Sequence, residues 1–343
     1  MKEFKYPIAV MCFNRPDYLA MTLESLRGQS MKIQEEQLTF WLDGFVGSKD
    51  QESSVSDRTK EVLDLVTHSF PRSKIFASSS NLGVGLNFKR AEDFNFKGTD
   101  NFVLFLEEDG VLHQSYLEVI TELTSKYDSI DEVVSLSAFG DILGVKKPIR
   151  EEMYSQWHAW GYALKRSHHV ERSWILQGYY SILSENPYHK RDDVKIREYL
   201  ANLGIITTFT SQDSVKDAIR RHFGRLALTT GARLGNYIGK IGQHFTPQIF
   251  ETLGYGDLEL DSGPLSLNLG DDRRFFDAIH LQEKKRFAYK HFNWIDLPLI
   301  QLRTERDTLL TERDSVRINI TYLKTALRLR ARKTLRMRTK SYE

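Results

Sequence analysis

The chain has 343 residues, 41% hydrophobic and 27% charged, a make-up that suits a soluble globular protein and excludes a largely disordered one. Its one cysteine, Cys12, excludes an internal disulfide and favours a reducing compartment, and no apolar run reaches the ~20 residues of a membrane-spanning helix. Residues 300–343 hold twelve Lys and Arg against five Asp and Glu, so the tail carries +7 and the preceding body −5 of the net +2; the basic balance is not a nucleic-acid footprint.

The opening residues lack the long apolar region and cleavage site of a signal peptide. Pro7–Phe13 is short, apolar and continuous, as a buried strand should be. A helix follows, with Asn14 near its cap, Pro16 in the first turn, Gly28 past the close and a core stripe of Leu19, Leu23 and Leu26. Leu38–Leu42 reads as a second strand, stopped by Asp43 and Gly44. A helix spans about Asp57–Phe70, with Leu63, Val66 and Phe70 on one face. Lys74–Ala77 is a third strand, and the loop Ser78–Gly85 leads into a helix ending near Phe94. Phe102–Leu106 is the most hydrophobic strand. A helix over Ser115–Tyr127 and a strand at Val133–Ser137 complete the series.

Alternation of strand and helix implies right-handed crossovers and a mostly parallel sheet, whose ligands bind at the carboxyl ends of its strands. Those ends carry Asn14 and Arg15, Asp43 and Gly44, the Asn81–Gly83 loop, and Glu107, Glu108 and Asp109. Beyond Ser155 the pattern loosens: Trp157, Trp160 and Trp174 gather near a helix, Tyr179–Lys195 reads as loop or lid, and Leu226–Phe245 is punctuated by glycine and extended.

Three adjacent carboxylates at the end of an apolar strand repel one another and lose hydration, and a hard divalent cation offsets both effects. A solvated acidic turn capping the next helix is the plainer alternative. The Ser80–Asn87 loop is neither a Walker A loop nor a dinucleotide fingerprint, since Gly-Lys-Ser/Thr and Gly-x-Gly-x-x-Gly are both absent. It is either an anion cradle at a helix N-terminus or an ordinary turn. Asp43 likewise fits a base or ribose contact or a routine Asp-Gly turn. Trp157 and Trp160 fit a sugar wall or core packing.

As an ordered set, Ala9–Pro16, Trp41–Gly44, Asn81–Gly83, Phe105–Asp109, Trp157–Lys165, Ser211–Asp213 and Gly239–Phe245 resemble the GT-A glycosyltransferases, most closely the branch containing N-acetylglucosaminyltransferase I and its bacterial relatives. The resemblance covers roughly residues 5–250, with the stretch from Gly178 to Thr210 unmatched. It implies an α/β fold with a Rossmann-like, mostly parallel sheet flanked by helices and a C-terminal helical extension. The corresponding domain reading is a catalytic domain at 1–255, divided into a nucleotide-sugar half at 1–140 and an acceptor half at 141–255. A partly ordered connector at 256–299 and a basic amphipathic tail at 300–343 follow.

Carried over residue by residue, the resemblance places Asn14, Arg15 and Asp43 around the nucleobase and ribose, and Asn81 and Gly83 beside the diphosphate or sugar. Glu107, Glu108 and Asp109 match the acidic metal motif, with Asp109 the ligand to Mn²⁺ or Mg²⁺ and Glu108 near the donor. Asp213 takes the catalytic base's place, although Gln212-Asp213-Ser214 departs from the family pattern of a tryptophan before the acidic pair; Asp192 and Asp193 are the alternatives. His244 is either a further metal ligand or a structural histidine. The expected activity is inverting transfer from a nucleotide sugar, UDP-linked and by resemblance UDP-GlcNAc, to a glycan, lipid-linked or protein hydroxyl. A nucleotidyltransferase would need a basic phosphate loop after the first strand, where Phe13-Asn14-Arg15-Pro16 stands instead. A non-catalytic glycan- or nucleotide-binding scaffold is the remaining class.

In the tail, Leu302, Leu309, Val316 and Leu323 recur every seven positions, a pattern for self-association through 300–327. Lys324–Lys340 then carries eight basic residues and no acid, suited to anionic lipid headgroups or to a disordered basic tail. The expected location is cytoplasmic, peripheral on the inner membrane face if the tail engages lipid.

Overall fold

The structure is a computed structural model; it describes residues 2–293 except 99, 141–147, 157, 243–245, 253–254, 256–258 and 264, with backbone alone at 249 and 286–293. Trp157, His244 and the tail at 300–343 therefore lie outside the described residues.

In chain order the elements are β1 (Ile8–Cys12), α1 (Pro16–Arg27), β2 (Leu38–Leu42), α2 (Lys49–Glu52), α3 (Thr59–Ser69), β3 (Lys74–Ala77), α4 (Gly83–Asn95) and β4 (Phe102–Glu107). Next come β5 (Gly110–Leu112), α5 (Tyr116–Tyr127), β6 (Val133–Ser137), β7 (Met153–Ser155), β8 (Gly161–Lys165) and α6 (Arg166–Leu183). The remainder are α7 (Asp193–Asn202), α8 (Gln212–His222), β9 (Leu226–Thr230), β10 (Gly235–Tyr237), α9 (Pro247–Thr252) and α10 (Arg273–Asn293).

Among the described residues eight strands form one sheet in the order β3-β2-β1-β4-β8-β6-β9-β7. β1 pairs in parallel with both β2 and β4, so the ends of β1, β2 and β4 lie side by side. Only β8 and β7 run against the rest. The expected architecture, a mostly parallel sheet flanked by helices, is thus what the chain adopts. The two antiparallel strands were not anticipated; β8 enters the sheet between β4 and β6, directly beside the acidic strand end.

Side chains alternate across the sheet as strand geometry requires. Ile8, Val10, Phe40, Leu104 and Leu106 face α1, α3 and α5, while Ala9, Met11, Trp41, Val103 and Phe105 face α4. Leu19, Leu23 and Leu26 are fully buried, each contributing roughly 1.5–3 kcal/mol of apolar burial. Phe276 and Ile279 of α10 join this main core.

A second apolar cluster ties α6, α7 and α8 together through Ile175, Tyr179, Ile196, Leu200, Val215 and Ile219. The segment expected as a loop or lid, Tyr179–Lys195, belongs to it. The segment contains the last turn of α6, a 3-10 turn at Tyr188–Lys190 and the start of α7. Trp174 stands 57% exposed on α6 and does not join Trp160.

Candidate active site

The acidic triplet closes β4. Thr22 of α1 donates its hydroxyl to the Glu108 carbonyl oxygen at 2.8 Å, which fixes the backbone there. The Glu108 side chain accepts from the Phe13 backbone N–H and from Arg15 Nε, both at 2.7 Å. Arg15 Nη1 reaches Asp109 Oδ2, also at 2.7 Å. The guanidinium thus bridges two carboxylates through a fork that Lys does not possess. Glu108 and Asp109 are buried, whereas Glu107 is half-buried.

Asp109 Oδ1 is buried with no hydrogen-bond partner among the described residues. Such an atom is uncommon and calls for a physical account. Burial raises the pKa of all three carboxyls. Asp109 adds to the rise at Glu107, Arg15 opposes it, and Asp213 raises it further. Asp213 therefore lies within electrostatic reach of Glu107, although it belongs to α8.

A glycine-rich segment after β10 covers the triplet. Ile238 donates its N–H to the Asp109 carbonyl oxygen at 2.9 Å, and Ile241 N–H donates to the Tyr18 hydroxyl at 3.1 Å. At Gly239 an added Cβ would stand 2.4 Å from Asp109 Oδ2, so only glycine fits. Tyr237 hydrogen-bonds Asp109 and stacks on Trp160 with ring centroids 4.5 Å apart. The other side of Trp160 stacks on His158 at 5.2 Å. Trp160 is thus packed on both sides by aromatic rings, and its backbone oxygen accepts from Glu107 N–H.

Asp43 is committed internally. Oδ1 accepts from Gly44 and Leu82 N–H, and Oδ2 accepts from Gly83 N–H and the Asn81 amide. Burial pushes its pKa up to about 6, against the pull of those backbone donors. The anion at the N-terminus of α4 is therefore Asp43's own carboxylate. Asn14 is also engaged: it donates to Asp50 and the Ser56 carbonyl and accepts from Arg58 N–H at 2.6 Å, fastening the segment before α3.

Gly83 has φ +74°, and a Cβ there would meet Tyr188 Cβ at 2.1 Å. Its glycine serves a turn and the close approach of Tyr188. The Tyr188 hydroxyl accepts from Gln212 N–H at 2.9 Å, immediately before Asp213.

Asp213 is exposed in the first turn of α8, and its carboxylate makes no hydrogen bond or ion pair among the described residues. Asp192 caps α7 by accepting from Val194 and Lys195 N–H. Asp193 bonds the Thr210 hydroxyl and pairs with Arg191.

Sequence reasoning missed a buried charge knot behind α8. Glu92 of α4 accepts from Arg172 of α6 at 2.9 Å and from Lys216 of α8 at 2.7 Å. Burial works against its ionisation, but Arg172, Lys216 and His169 more than reverse this and hold its pKa well below the usual range. Burial lowers Lys216 to about 8. The only sequence signal was charge at buried helical positions, which needs the fold to be read.

Among the described residues no three His, Cys, Asp or Glu side chains converge as a metal-ligand set. No described helix is long and apolar enough to cross a membrane.

No family model matches the chain, and no curated protein does. Among solved structures, the mannosyltransferase PcManGT from Pyrobaculum calidifontis, in complex with GDP-Man and Mn²⁺, is 12% identical over 91% of this chain and 83% of that one, with a TM-score of 0.43. TarS residues 1–349 from S. aureus are 13% identical over 49% of each chain, with a TM-score of 0.34; this chain thus spans about half the length of that fragment. The same fragment in complex with UDP-GlcNAc is 13% identical, with 49% of this chain and 47% of that one covered and a TM-score of 0.34.

Proposed function

We propose that the chain is a metal-dependent glycosyltransferase that binds a nucleotide-sugar donor at the end of β4. The observation that carries this reading is the Glu107–Asp109 triplet at the end of β4, taken together with Asp213. One is a buried acidic cluster with an unpaired oxygen. The other is an unengaged carboxylate whose charge is felt at Glu107. Donor grip and proton removal need such a division between groups.

A divalent ion fits the residues through Asp109 Oδ1, with Glu107 as the other open carboxylate. Mg²⁺ and Mn²⁺ sites of this kind use one or two carboxylates and complete their shell with phosphate and water. Bound there, the ion would supply Lewis acidity towards the departing diphosphate. Arg15 holds Glu108 and Asp109 Oδ2 in place and adds fixed positive charge beside the same group. Asp43, Asn14 and Gly83 act as positioning residues, since their polar atoms or space are already used within the chain.

Asp213 removes the proton of the acceptor hydroxyl. The freed oxygen forms a bond to C1 of the donor sugar while the C1–O bond to the diphosphate breaks, and the nucleoside diphosphate leaves with the electron pair. Attack opposite the leaving group inverts the anomeric centre. The two alternatives, Asp192 and Asp193, are spent on the α7 cap and the Arg191–Thr210 contact, which favours Asp213. UDP-GlcNAc as donor, the N-acetylglucosaminyltransferase I-like branch, a role in polysaccharide synthesis and membrane attachment through the basic tail remain parts of this proposal supported by sequence resemblance and composition.

The test is a panel of UDP- and GDP-sugars assayed for slow hydrolysis and for transfer, with Asp109→Asn, Asp213→Asn and Asp192→Asn beside the parent. The expected outcome is loss of donor binding in Asp109→Asn, and retained binding with at least a hundredfold loss of rate in Asp213→Asn. Full turnover by Asp213→Asn would remove it from the mechanism, and the absence of donor binding throughout would favour a non-catalytic scaffold.

A further inference from the structure

The sequence resemblance leaves the stretch from Gly178 to Thr210 unmatched, yet its side chains converge on Thr210 and Gln212, the two neighbours of Ser211 at the start of α8. The Tyr179 hydroxyl donates to the Thr210 carbonyl oxygen at 2.9 Å. Arg191 Nε donates to the Thr210 hydroxyl at 3.0 Å, and Asp193 accepts from that same hydroxyl. The Tyr188 hydroxyl accepts from Gln212 N–H at 2.9 Å. Asp213, the carboxylate assigned to proton removal, is the next residue in the chain.

The Tyr188 contact supplies what the helix lacks. The first amides of an α-helix have no acceptor within it, and a serine before the first turn ordinarily provides one. Ser211 stands in that place but makes no side-chain cap; its hydroxyl donates to Ser214 Oγ at 3.0 Å instead. The acceptor at this end of α8 is the Tyr188 hydroxyl, brought from 24 residues away.

Tyr188 is itself closely held. A Cβ at Gly83 would stand 2.1 Å from Tyr188 Cβ, and one at Gly85 would stand 3.1 Å from Cε2, so the two glycines form a socket for the ring. The Arg191 guanidinium covers that ring at 4.8 Å from its centroid. With Tyr188 6% and Gln212 4% exposed, water has little access to the bond between them. The Asp213 charge acts on both the Tyr179 and the Tyr188 hydroxyl, so the carboxylate lies within electrostatic reach of this contact.

We propose that Tyr188 is a positioning residue for the transfer: its hydroxyl caps α8 and so sets where the Asp213 carboxylate stands. The proposal rests on the transferase reading above and gives the unmatched segment a role in it. Phenylalanine at this position keeps the ring in its glycine socket and removes only the acceptor. Gln212 N–H is then buried without a partner, the first turn of α8 loosens, and Asp213 loses its fixed place.

The experiment compares the parent, Tyr188→Phe, Asp213→Asn, the double variant and Ile196→Val. Hydrolysis is followed on whichever of UDP-GlcNAc, UDP-glucose and GDP-mannose the parent turns over fastest. UDP binding in Mn²⁺ is read by calorimetry and amide exchange at Gln212 by NMR. In Tyr188→Phe the Gln212 amide should exchange at least tenfold faster and the donor should be hydrolysed about tenfold more slowly, with donor KM and UDP affinity unchanged. In the Asp213→Asn background the same change should cost no further rate, because the group being positioned is already gone. Ile196→Val trims the apolar cluster of α6, α7 and α8 and controls for lost stability: it should lower Tm and leave the rate unchanged. Full rate in Tyr188→Phe, or an equal loss in either the Asp213→Asn background or Ile196→Val, would overturn the role of Tyr188 and leave the transferase reading standing. A parent that hydrolyses none of the three donors would overturn the transferase reading and this role with it.

Discussion

Arg15 occupies a position with two consequences. Its guanidinium neutralises Glu108 and Asp109 at 2.7 Å each, yet three carboxylates share this one arginine. Removing one partner of a buried pair typically costs about 3–5 kcal/mol. Arg15→Met should therefore melt well below the parent and recover part of the loss when Mn²⁺ is added, so the Mn²⁺-induced rise in Tm should be larger in the variant. Equal rises would show that the ion does not reach these carboxylates. Since burial holds all three carboxyls above their ordinary pKa, Mn²⁺ affinity should fall as pH drops, with a midpoint above the usual carboxylate range. His168 makes the stability of the fold itself depend on pH. Burial and Arg172 lower it from 6.5 to about 3, so it stays neutral in the folded chain while the unfolded chain takes up a proton. Its contribution is complete above pH 6.5 and is lost as pH falls toward 3. From pH 7.5 to 5.5 the parent should lose about 1 kcal/mol more than His168→Leu in urea unfolding. Parallel pH profiles would show that the imidazole is not shielded.

At the scale of elements, the two halves of the site are joined by a relay of close contacts. Asp43 at the end of β2 caps α4, Gly83 at the start of α4 admits Tyr188, and Tyr188 fixes the N-terminus of α8 at Gln212. Gly83→Ala combines a left-handed backbone with a steric clash, so it should cost about 1–3 kcal/mol and lower the transfer rate more than donor affinity. Unchanged kcat in a folded variant would break the link between this turn and Asp213. Apart from the short α2 and β5, the elements through β6 were legible because their apolar residues follow strand and helix periods cleanly. The helices α6 and α7 were less so. α6 buries His168 and Arg172 while exposing Val170 and Trp174, which blurs its apolar stripe, and the buried residues of α7 are only Ile196 and Leu200. Asp43 followed by glycine has the form of a local turn. Its use as a cap for a helix some forty residues away depends on β2 and β3 lying side by side, which only the fold reveals.

Over the whole molecule, the sheet supplies the acidic strand end and the α6–α8 cluster supplies Asp213, with Glu92 tying α4 to α6 and α8. Glu92→Gln should leave Arg172 and Lys216 without compensation at 4% and 6% side-chain exposure, with a loss of roughly 3–5 kcal/mol in chemical denaturation. A near-neutral effect would mean that the three helices are held by apolar packing alone. The triplet and Asp213 were visible in the sequence as residue types at a strand end and a helix start. Their mutual reach, the Arg15 bridge and the orphaned Asp109 oxygen were not, because each depends on segments distant in the chain. The most direct test of the donor site is calorimetry of UDP binding with and without Mn²⁺, on the parent and on Asp109→Asn. Binding should require Mn²⁺ in the parent and vanish in Asp109→Asn; metal-independent binding, or equal binding by the variant, would contradict a donor site built on this strand end.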